Sequence, residues 1–470
     1  MDLKRRNFLK KSGLFTVAGL LPGSFSALAE IPDISYEALT NDAFVIKEAT
    51  ILTVDDTLGN FENASIYVKQ GKIAEIGQNI SVPDNTEIIN GKGHVVMPGL
   101  IDCHWHLWTS LLRSMAGDTK EKGYFPMTTR YSRLYSENDM RIATQYAVAE
   151  ALHSGITTVC DYNHNARSPG MVLAGCDALA ESGIRAQVLY GNYRDQEASE
   201  STNFDGIRQV LSRLQEDEKY YLLSPGLGSR GVGYQHLKSD WQKARELGLR
   251  ISIHASSNED QKGQIRQLEK MGLLKNDVNI IHGNAITPQE IEAVKESGAS
   301  ITMTPFSEMR IGYGLPKINE LQKAKVNTSL GVDTTGLSGN ADMFAIMKLI
   351  LNLSNGLAKS EFNMQPKEVL KMTTINGART LGIADITGSL TPGKRADLIM
   401  LNRNDLNFSS GKRPEHLIVE AAQPGNVDLV AVDGKILKRN GQLTAMNAIS
   451  IIKEAEAAFE NMYRKINSQI

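Results

Sequence analysis

At 470 residues, with 41% hydrophobic and 22% charged side chains, the chain can bury one large core, or a large core and a small one. Its formal net charge of −2 and the lack of a basic stripe or aromatic-interleaved Lys/Arg patch argue against nucleic acid as a partner. The cysteines, Cys103, Cys160 and Cys176, are odd in number, so no disulfide framework is expected.

Residues 2–11 read DLKRRNFLKK, and an interrupted apolar stretch from Gly13 to Leu28 ends in Ala27-Leu28-Ala29. A charged start, a short apolar run and a small-x-small ending form a secretory signal peptide, with cleavage expected after Ala29. Arg5-Arg6 followed by Asn-Phe-Leu-Lys resembles the twin-arginine export signal of bacteria, which implies the export machinery as a partner and the periplasm as destination. The run is too short and broken to span a membrane comfortably, so no stable anchor is expected. Cleavage would leave 46 basic and 52 acidic residues, a net charge of −6 that suits solubility.

Beyond this leader, Phe44–Val54, Ala64–Ile76 and Ile88–Val96 are rich in β-branched residues and punctuated by glycine, which predicts a small all-β unit over 42–97. From Leu100 to Asp333, apolar strand-like runs alternate with helical patterns. The strands predicted are Leu100–His106, Ile156–Asp161, Ile184–Tyr190, Tyr221–Leu227, Arg250–His254, Asn279–His282, Ser300–Thr304 and Asn327–Asp333. Helices are predicted at Asp139–His153, Gly170–Ser182, Gln235–Leu247, Gln261–Met271 and Pro288–Ser297. Eight such alternations predict an α/β fold, a (β/α)8 TIM barrel over 98–387. A doubly wound open sheet would also alternate, but no glycine-rich phosphate loop follows the first strand. Pro366–Leu381 reads as one helix. β-patterning then returns in Gly388–Asn402 and Val427–Lys438, so both ends of the chain are expected to build a flanking β-sandwich, its second part over 388–445. Ile451, Ala455, Phe459, Met462 and Ile466 recur at helical spacing and predict an amphipathic helix within 446–470.

Barrels place their chemistry at the C-terminal ends of strands. There stand His104 and His106 on strand one, His254 on strand five, His282 on strand six and Asp333 on strand eight. The side-chain period of two puts Asp102, His104 and His106 on one face of an extended strand. A lone His-x-His is a weak signal, but three strand ends and an aspartate converge if the barrel closes. Three imidazoles and a carboxylate suit one divalent metal, zinc first and iron as the alternative. A metal-activated water could then attack, with Asp333 taking its proton and His282 steadying the water or polarising the group attacked.

MPGLIDCHWH, these strand-end residues, INGARTLGI and GSLTPGKRADLIMLN together resemble the amidohydrolase superfamily, closest to its cytosine deaminase/chlorohydrolase-like branch. The resemblance spans nearly the whole chain after the leader. It implies a metal-dependent hydrolase of non-peptide C–N bonds, amine or amide, in a small molecule. It also implies that His104, His106, His254 and Asp333 are the metal ligands and His282 the strand-six histidine. C–halogen or ester hydrolysis, or an idle ligand-binding relative, are the alternatives.

Two departures qualify that expectation. Deaminases of this branch usually carry Glu three residues after the strand-five His; here that position is Ser257, which cannot do a carboxylate's proton work. Glu259 could reach in from the loop or be a plain exposed acid. Glu308, where the branch commonly has Asn, is either a replacement catalytic acid or half of a surface ion pair with Arg310. Strand four ends in LLSPGLGSRG with no lysine near its C-terminal end, and Lys219 precedes the strand, so one metal is expected rather than two.

Trp108, Arg113, Tyr124 and Phe125 after strand one, His164 after strand two and Arg230 after strand four are the expected substrate contacts, suited to a planar or anionic molecule. Cys103, alternating away from the metal face, is expected to pack rather than react. Assembly into a homo-oligomer is left open.

Overall fold

The structure, a computed structural model, describes residues 43–468. The predicted leader and its cleavage point lie outside the described residues. Among the described residues, no helix is long and apolar enough to cross a membrane.

Eight parallel strands form the barrel: Leu100–Trp105, Ile156–Asn163, Arg185–Tyr190, Leu223–Gly228, Arg250–Ala255, Val278–His282, Ser300–Met303 and Asn327–Leu330, each pairing with the next. The ring closes where strand eight meets strand one. The Asp333 N–H donates to the His104 carbonyl and the His106 N–H to the Asp333 carbonyl, both at 2.7 Å. Asp102 clamps the same seam, its two carboxylate oxygens each accepting a 2.9 Å bond, one from the His104 N–H and one from the Val332 N–H. A side chain at Gly331 would stand 2.7 Å from the His104 carbonyl, so the seam needs glycine there.

Local signals explain the helices between strands. A capping box of Ser136 and Asp139 opens Glu137–His153. Another, of Thr287 and Glu290 with Pro288 in the first turn, opens Pro288–Ser297, which Gly298 ends in the left-handed conformation. Four helices beyond those predicted, Phe204–Glu216, Ile318–Ala324, Met343–Ala358 and Pro414–Ala421, also pack on the barrel core. The single helix expected over Pro366–Leu381 is two, Pro366–Met372 and Ile375–Leu381. At the break, the Thr373 and Thr374 hydroxyls both bond back to the Leu370 carbonyl. The Thr373 carbonyl thereby leaves the helix to receive the Ile101 N–H of strand one at 2.8 Å.

The flanking domain is a single nine-stranded sheet rather than two separate ones. It combines Ala43–Leu52, Asn60–Lys69, Lys72–Gly77, Glu87–Asn90 and His94–Pro98 with Leu398–Asn402, Val427–Val432, Lys435–Arg439 and Gln442–Leu443. The predicted strand Ile88–Val96 is split at Gly91-Lys92-Gly93. A bridge between Lys72 and Arg395 curls the sheet over an apolar core of its own that includes Phe44, Ile46, Ile66, Val96, Leu398 and Leu429. His94–Pro98 pairs with Leu398–Asn402, which joins the two ends of the chain.

At Gly99 the chain passes from this sheet into the barrel; a Cβ there would lie 2.0 Å from Thr157 Oγ1. Arg185 on barrel strand three grips Asp397 of the flanking domain through two bonds of 2.7 and 3.0 Å, and Asp397 also accepts the Asp433 N–H. The C-terminal helix Ala448–Asn467 buries Ile451, Ala455, Ala458, Met462 and Ile466. Phe459, expected in that stripe, is only partly buried and stacks on Tyr131.

Candidate metal centre and substrate pocket

Strand one projects His104 and His106 into the barrel mouth on its inward face, and the closing bridge brings Asp333 beside them. Asp333 Oδ1 lies 3.2 Å from Nε2 of both histidines, and His254 Nε2 lies 3.2 Å from His104 Nε2. The four donors stand within 4.8 Å of one another, the one such group of His, Cys, Asp and Glu among the described residues. Ligand atoms about 2.0–2.1 Å from a tetrahedral ion are separated by roughly 3.3 Å, so this spacing fits a divalent metal. The donors' charge states fit as well. Burial drives His104 down to about 3 and pushes His254 well below its ordinary value, so both offer neutral nitrogens. Burial alone would raise the Asp333 carboxyl, but its bonds to His104 and His106 outweigh that and hold it ionised.

The surroundings orient these groups. His106 Nδ1 donates to the Tyr162 carbonyl at 2.7 Å, which turns its Nε2 to the cluster. Asp333 at φ 64° and His282 at φ 72° occupy left-handed backbone, costly for residues with a Cβ and characteristic of sites where the fold over-determines one conformation. His164 stacks on His106 with ring centroids 3.7 Å apart, and its Nδ1 accepts the Trp108 indole N–H at 2.7 Å. The neutral His164 ring therefore carries its own hydrogen on Nε2.

Glu308 is wholly buried, and the surface pair with Arg310 does not form; Arg310 instead approaches Asp118 and the Ala116 carbonyl. One Glu308 oxygen lies 3.2 Å from His282 Nδ1 and accepts the Thr304 N–H at 2.7 Å; the other accepts Asn284 Nδ2 at 3.2 Å. The Thr304 hydroxyl lies 3.1 Å from the same Nδ1; with Glu308 as a carboxylate, which only accepts, the His282 hydrogen stands on Nδ1 and Nε2 is the free nitrogen. Ser257 lines the cavity, whereas Glu259 is exposed and paired with Lys262. Lys219 is exposed in a turn before strand four and bonds to Asp177. Cys103 is buried, with its thiol toward the Gly377 carbonyl.

The cavity at the mouth, about 250 Å³, is lined by His106, His254, His282 and Asp333 together with Tyr124, Phe125, His164 and Arg230. Two of the expected substrate contacts are not brought to it. Arg113 is turned away by a two-bond pair with Glu150 and packs over the Tyr146 ring, because Glu150 satisfies its charge before any ligand could. Trp108 is buried behind His164, where its indole N–H is already spent. Arg230 reaches the cavity, but its guanidinium is committed to the carbonyls of Gln196, Glu197 and Glu200. The lining also includes Tyr162, Asn192, Arg194, Gln261 and Tyr313, none of them singled out from the sequence. Arg194 was legible in principle, since it follows barrel strand three by four residues.

A family model described as the amidohydrolase family matches residues 95–437. Among curated relatives, the chain is 27% identical over 446 residues to a 5′-deoxyadenosine deaminase of Methanosarcina mazei, covering 90% of this chain and 99% of the relative. It is 29% identical over 433 residues to a 5-methylthioadenosine/S-adenosylhomocysteine deaminase of Desulfitobacterium hafniense, covering 88% and 97%. Among solved structures, the fold matches an adenosine deaminase from Xanthomonas campestris with bound zinc at a TM-score of 0.80 and 19% identity, over 90% of this chain and 98% of that one. An atrazine chlorohydrolase from Arthrobacter aurescens complexed with zinc matches at 0.79 and 21%, over 88% and 100%.

Proposed function

The chain belongs to the amidohydrolase family, and on that premise we propose that it hydrolyses an amine or amide C–N bond of a small planar molecule, using a His282–Glu308 pair as the proton carrier. It is a hydrolase of non-peptide C–N bonds. A purine nucleoside amine, as in the names of its relatives, is the first substrate class to test.

His104, His106, His254 and Asp333 would hold one divalent ion, zinc on the strength of the donor set. Bound there, the ion would supply Lewis acidity that brings a water's pKa toward neutrality. The chain's own groups do the rest. Asp333, ionised and beside the cluster, takes a proton from the attacking water. A C–O bond forms, the C–N bond breaks, and the departing nitrogen must receive a proton. The Glu that deaminases of the resembled branch usually carry at the position of Ser257 is absent. His282 Nε2 is free to accept the proton that Asp333 took from the water and to pass it to the departing nitrogen, and Glu308 behind Nδ1 balances the imidazolium formed in between. This burial of Glu308 against His282 is the observation that carries the reading.

The test compares Glu308→Gln with Ser257→Ala, after ammonia- and amine-release screening has found a substrate. Glu308→Gln is expected to lower kcat by about 100-fold, within the usual range for general acid–base groups, and to shift the pH profile of kcat. Ser257→Ala should stay within a few-fold of wild type. The reverse ranking would return the proton work to the strand-five loop.

Export is part of the proposal. The Arg5-Arg6-Asn-Phe-Leu run supports twin-arginine transport to the periplasm with cleavage after Ala29. Replacing both arginines by lysine should leave the full-length chain in the cytoplasmic fraction; unchanged export would refute this route.

A further inference from the structure

We infer that the substrate of this pocket bears an anionic group, a carboxylate or a phosphate, and that Arg194 receives it. The inference rests on the hydrolase reading only for the identity of the pocket. It goes beyond that reading because nothing in C–N hydrolysis requires a charged substrate, and 5′-deoxyadenosine, the namesake substrate of one relative, has no anionic group.

Arg194 lines the same cavity as His106, His254, His282 and Asp333. Its guanidinium lies 5.1 Å from the Tyr124 ring centroid and 5.2 Å from that of Phe125. These aromatic faces fix the plane of the fork without cancelling its charge. Nε is buried and has no hydrogen-bond partner, and the Tyr124 hydroxyl on the same wall is equally unpartnered.

The acids nearby are already engaged. Asp195 pairs with Arg133 and Arg167, and the Glu200 carboxylate takes the Tyr193 hydroxyl. Glu308 faces His282 and Asn284, and Asp333 belongs to the metal cluster. Among the described residues, no carboxylate pairs with Arg194. Arg230, the other cation of the cavity, is occupied by three backbone carbonyls, so the two arginines are not equivalent.

A half-buried guanidinium with idle donors is costly, and the group that best restores its bonds is a planar or tetrahedral anion matched to the fork. With a divalent ion bound, that ion, Arg194 and Arg230 would make three positive centres against Asp333, the one carboxylate among the lining residues. That balance repels an ammonium-bearing substrate and attracts an anion.

The experiment uses the metal-loaded protein and two matched pairs, N-methylbenzamide with hippurate and 5′-deoxyadenosine with adenosine 5′-phosphate. Wild type should favour the anionic member of a pair in kcat/KM. Arg194→Gln should raise KM for that member by about 10- to 100-fold, as expected for a charge-assisted bond, and leave the neutral member within a few-fold. Arg194→Lys should recover part of the loss. Preference for hippurate identifies a carboxylate site, and preference for the nucleotide a phosphate site. Preference for the neutral members, or equal slowing of both members by Arg194→Gln, overturns the inference.

Binding of benzoate and inorganic phosphate to the metal-free protein, followed by calorimetry, separates this inference from the hydrolase reading. Anion binding weakened about 10-fold or more by Arg194→Gln supports the site even if none of the four compounds is turned over. In that case only the hydrolase reading fails for these classes. Binding that ignores Arg194 overturns the anion site whatever the turnover.

Discussion

The flanking sheet and the barrel mouth are both buried, yet they treat polar groups in opposite ways. Where the sheet meets the barrel, Arg185, Asp397, Asp433 and Arg395 form one connected ion cluster, and Asp397 also takes a backbone N–H. Among the described residues, the only buried side-chain polar atom of the flanking domain without a partner is Arg403 Nε. At the mouth, His104 Nδ1, Tyr124 Oη, Arg194 Nε, Asn284 Oδ1 and Thr335 Oγ1 all lack one. A region selected for stability satisfies its donors and acceptors internally. A region that must bind a metal and a substrate keeps them unspent, and the rest of the fold compensates.

The contrast can be broken from either side. Asp333→Ala removes a donor of the proposed metal site and the group proposed to take the water's proton; turnover should fall by at least about 10⁴-fold, the scale of losing a group essential to the chemistry. Metal content should fall with it while the circular dichroism spectrum stays native. Stoichiometric metal with unchanged turnover would remove Asp333 from the site.

Asp397→Ala should do the opposite. Breaking a buried pair leaves Arg185 with only the 3.4 Å contact to Asp433, so urea denaturation should show a loss of roughly 3 kcal/mol. Turnover per folded molecule should hold, because Asp397 does not line the cavity. Loss of activity without loss of stability would contradict the division of labour between the two regions.

Asp161, buried on barrel strand two with one bond from the Leu107 N–H, tests the cost of a polar group inside the barrel itself. Burial raises its carboxyl to about 7. Between about pH 4 and 7 the folded protein keeps this proton while the unfolded chain has lost it, so folding takes up a proton. The Asp161 contribution is therefore full at low pH and fades as pH rises to 7. Asp161→Asn should gain on wild type across that window, approaching a few kcal/mol in the difference between urea midpoints at pH 5, 6 and 7. A difference that does not change with pH would place the carboxyl's pKa near its ordinary value.

Much of the fold was legible because its signals are local. Strand and helix patterns alternate in order, glycine and proline mark the junctions, and barrel chemistry belongs to strand ends, which picked out His104, His106, His254, His282 and Asp333. The helix break at Thr373-Thr374 was not legible. Pro366–Leu381 keeps helical spacing throughout, and the break shows only in space, where the Thr373 and Thr374 hydroxyls turn back to the Leu370 carbonyl and the Thr373 carbonyl receives the Ile101 N–H of strand one. Arg113 and Arg230 look alike as strand-following arginines, but whether such a charge is free depends on partners far along the chain. Arg113 is answered by Glu150, and Arg230 by carbonyls about thirty residues before it.

The sequence by itself determined the fold class, the candidate metal-binding group and the serine at 257 where deaminases of the resembled branch usually carry Glu, since each depends on residue type at a position relative to its own strand. Tertiary structure alone decided which groups are unspent. It buried Glu308 against His282, closed the barrel through Asp102, Gly331 and Asp333, and left Arg194 without a counter-charge. The physical reason is that pairing and burial are properties of neighbours in space, and the seam between strands eight and one joins residues more than two hundred positions apart in the chain.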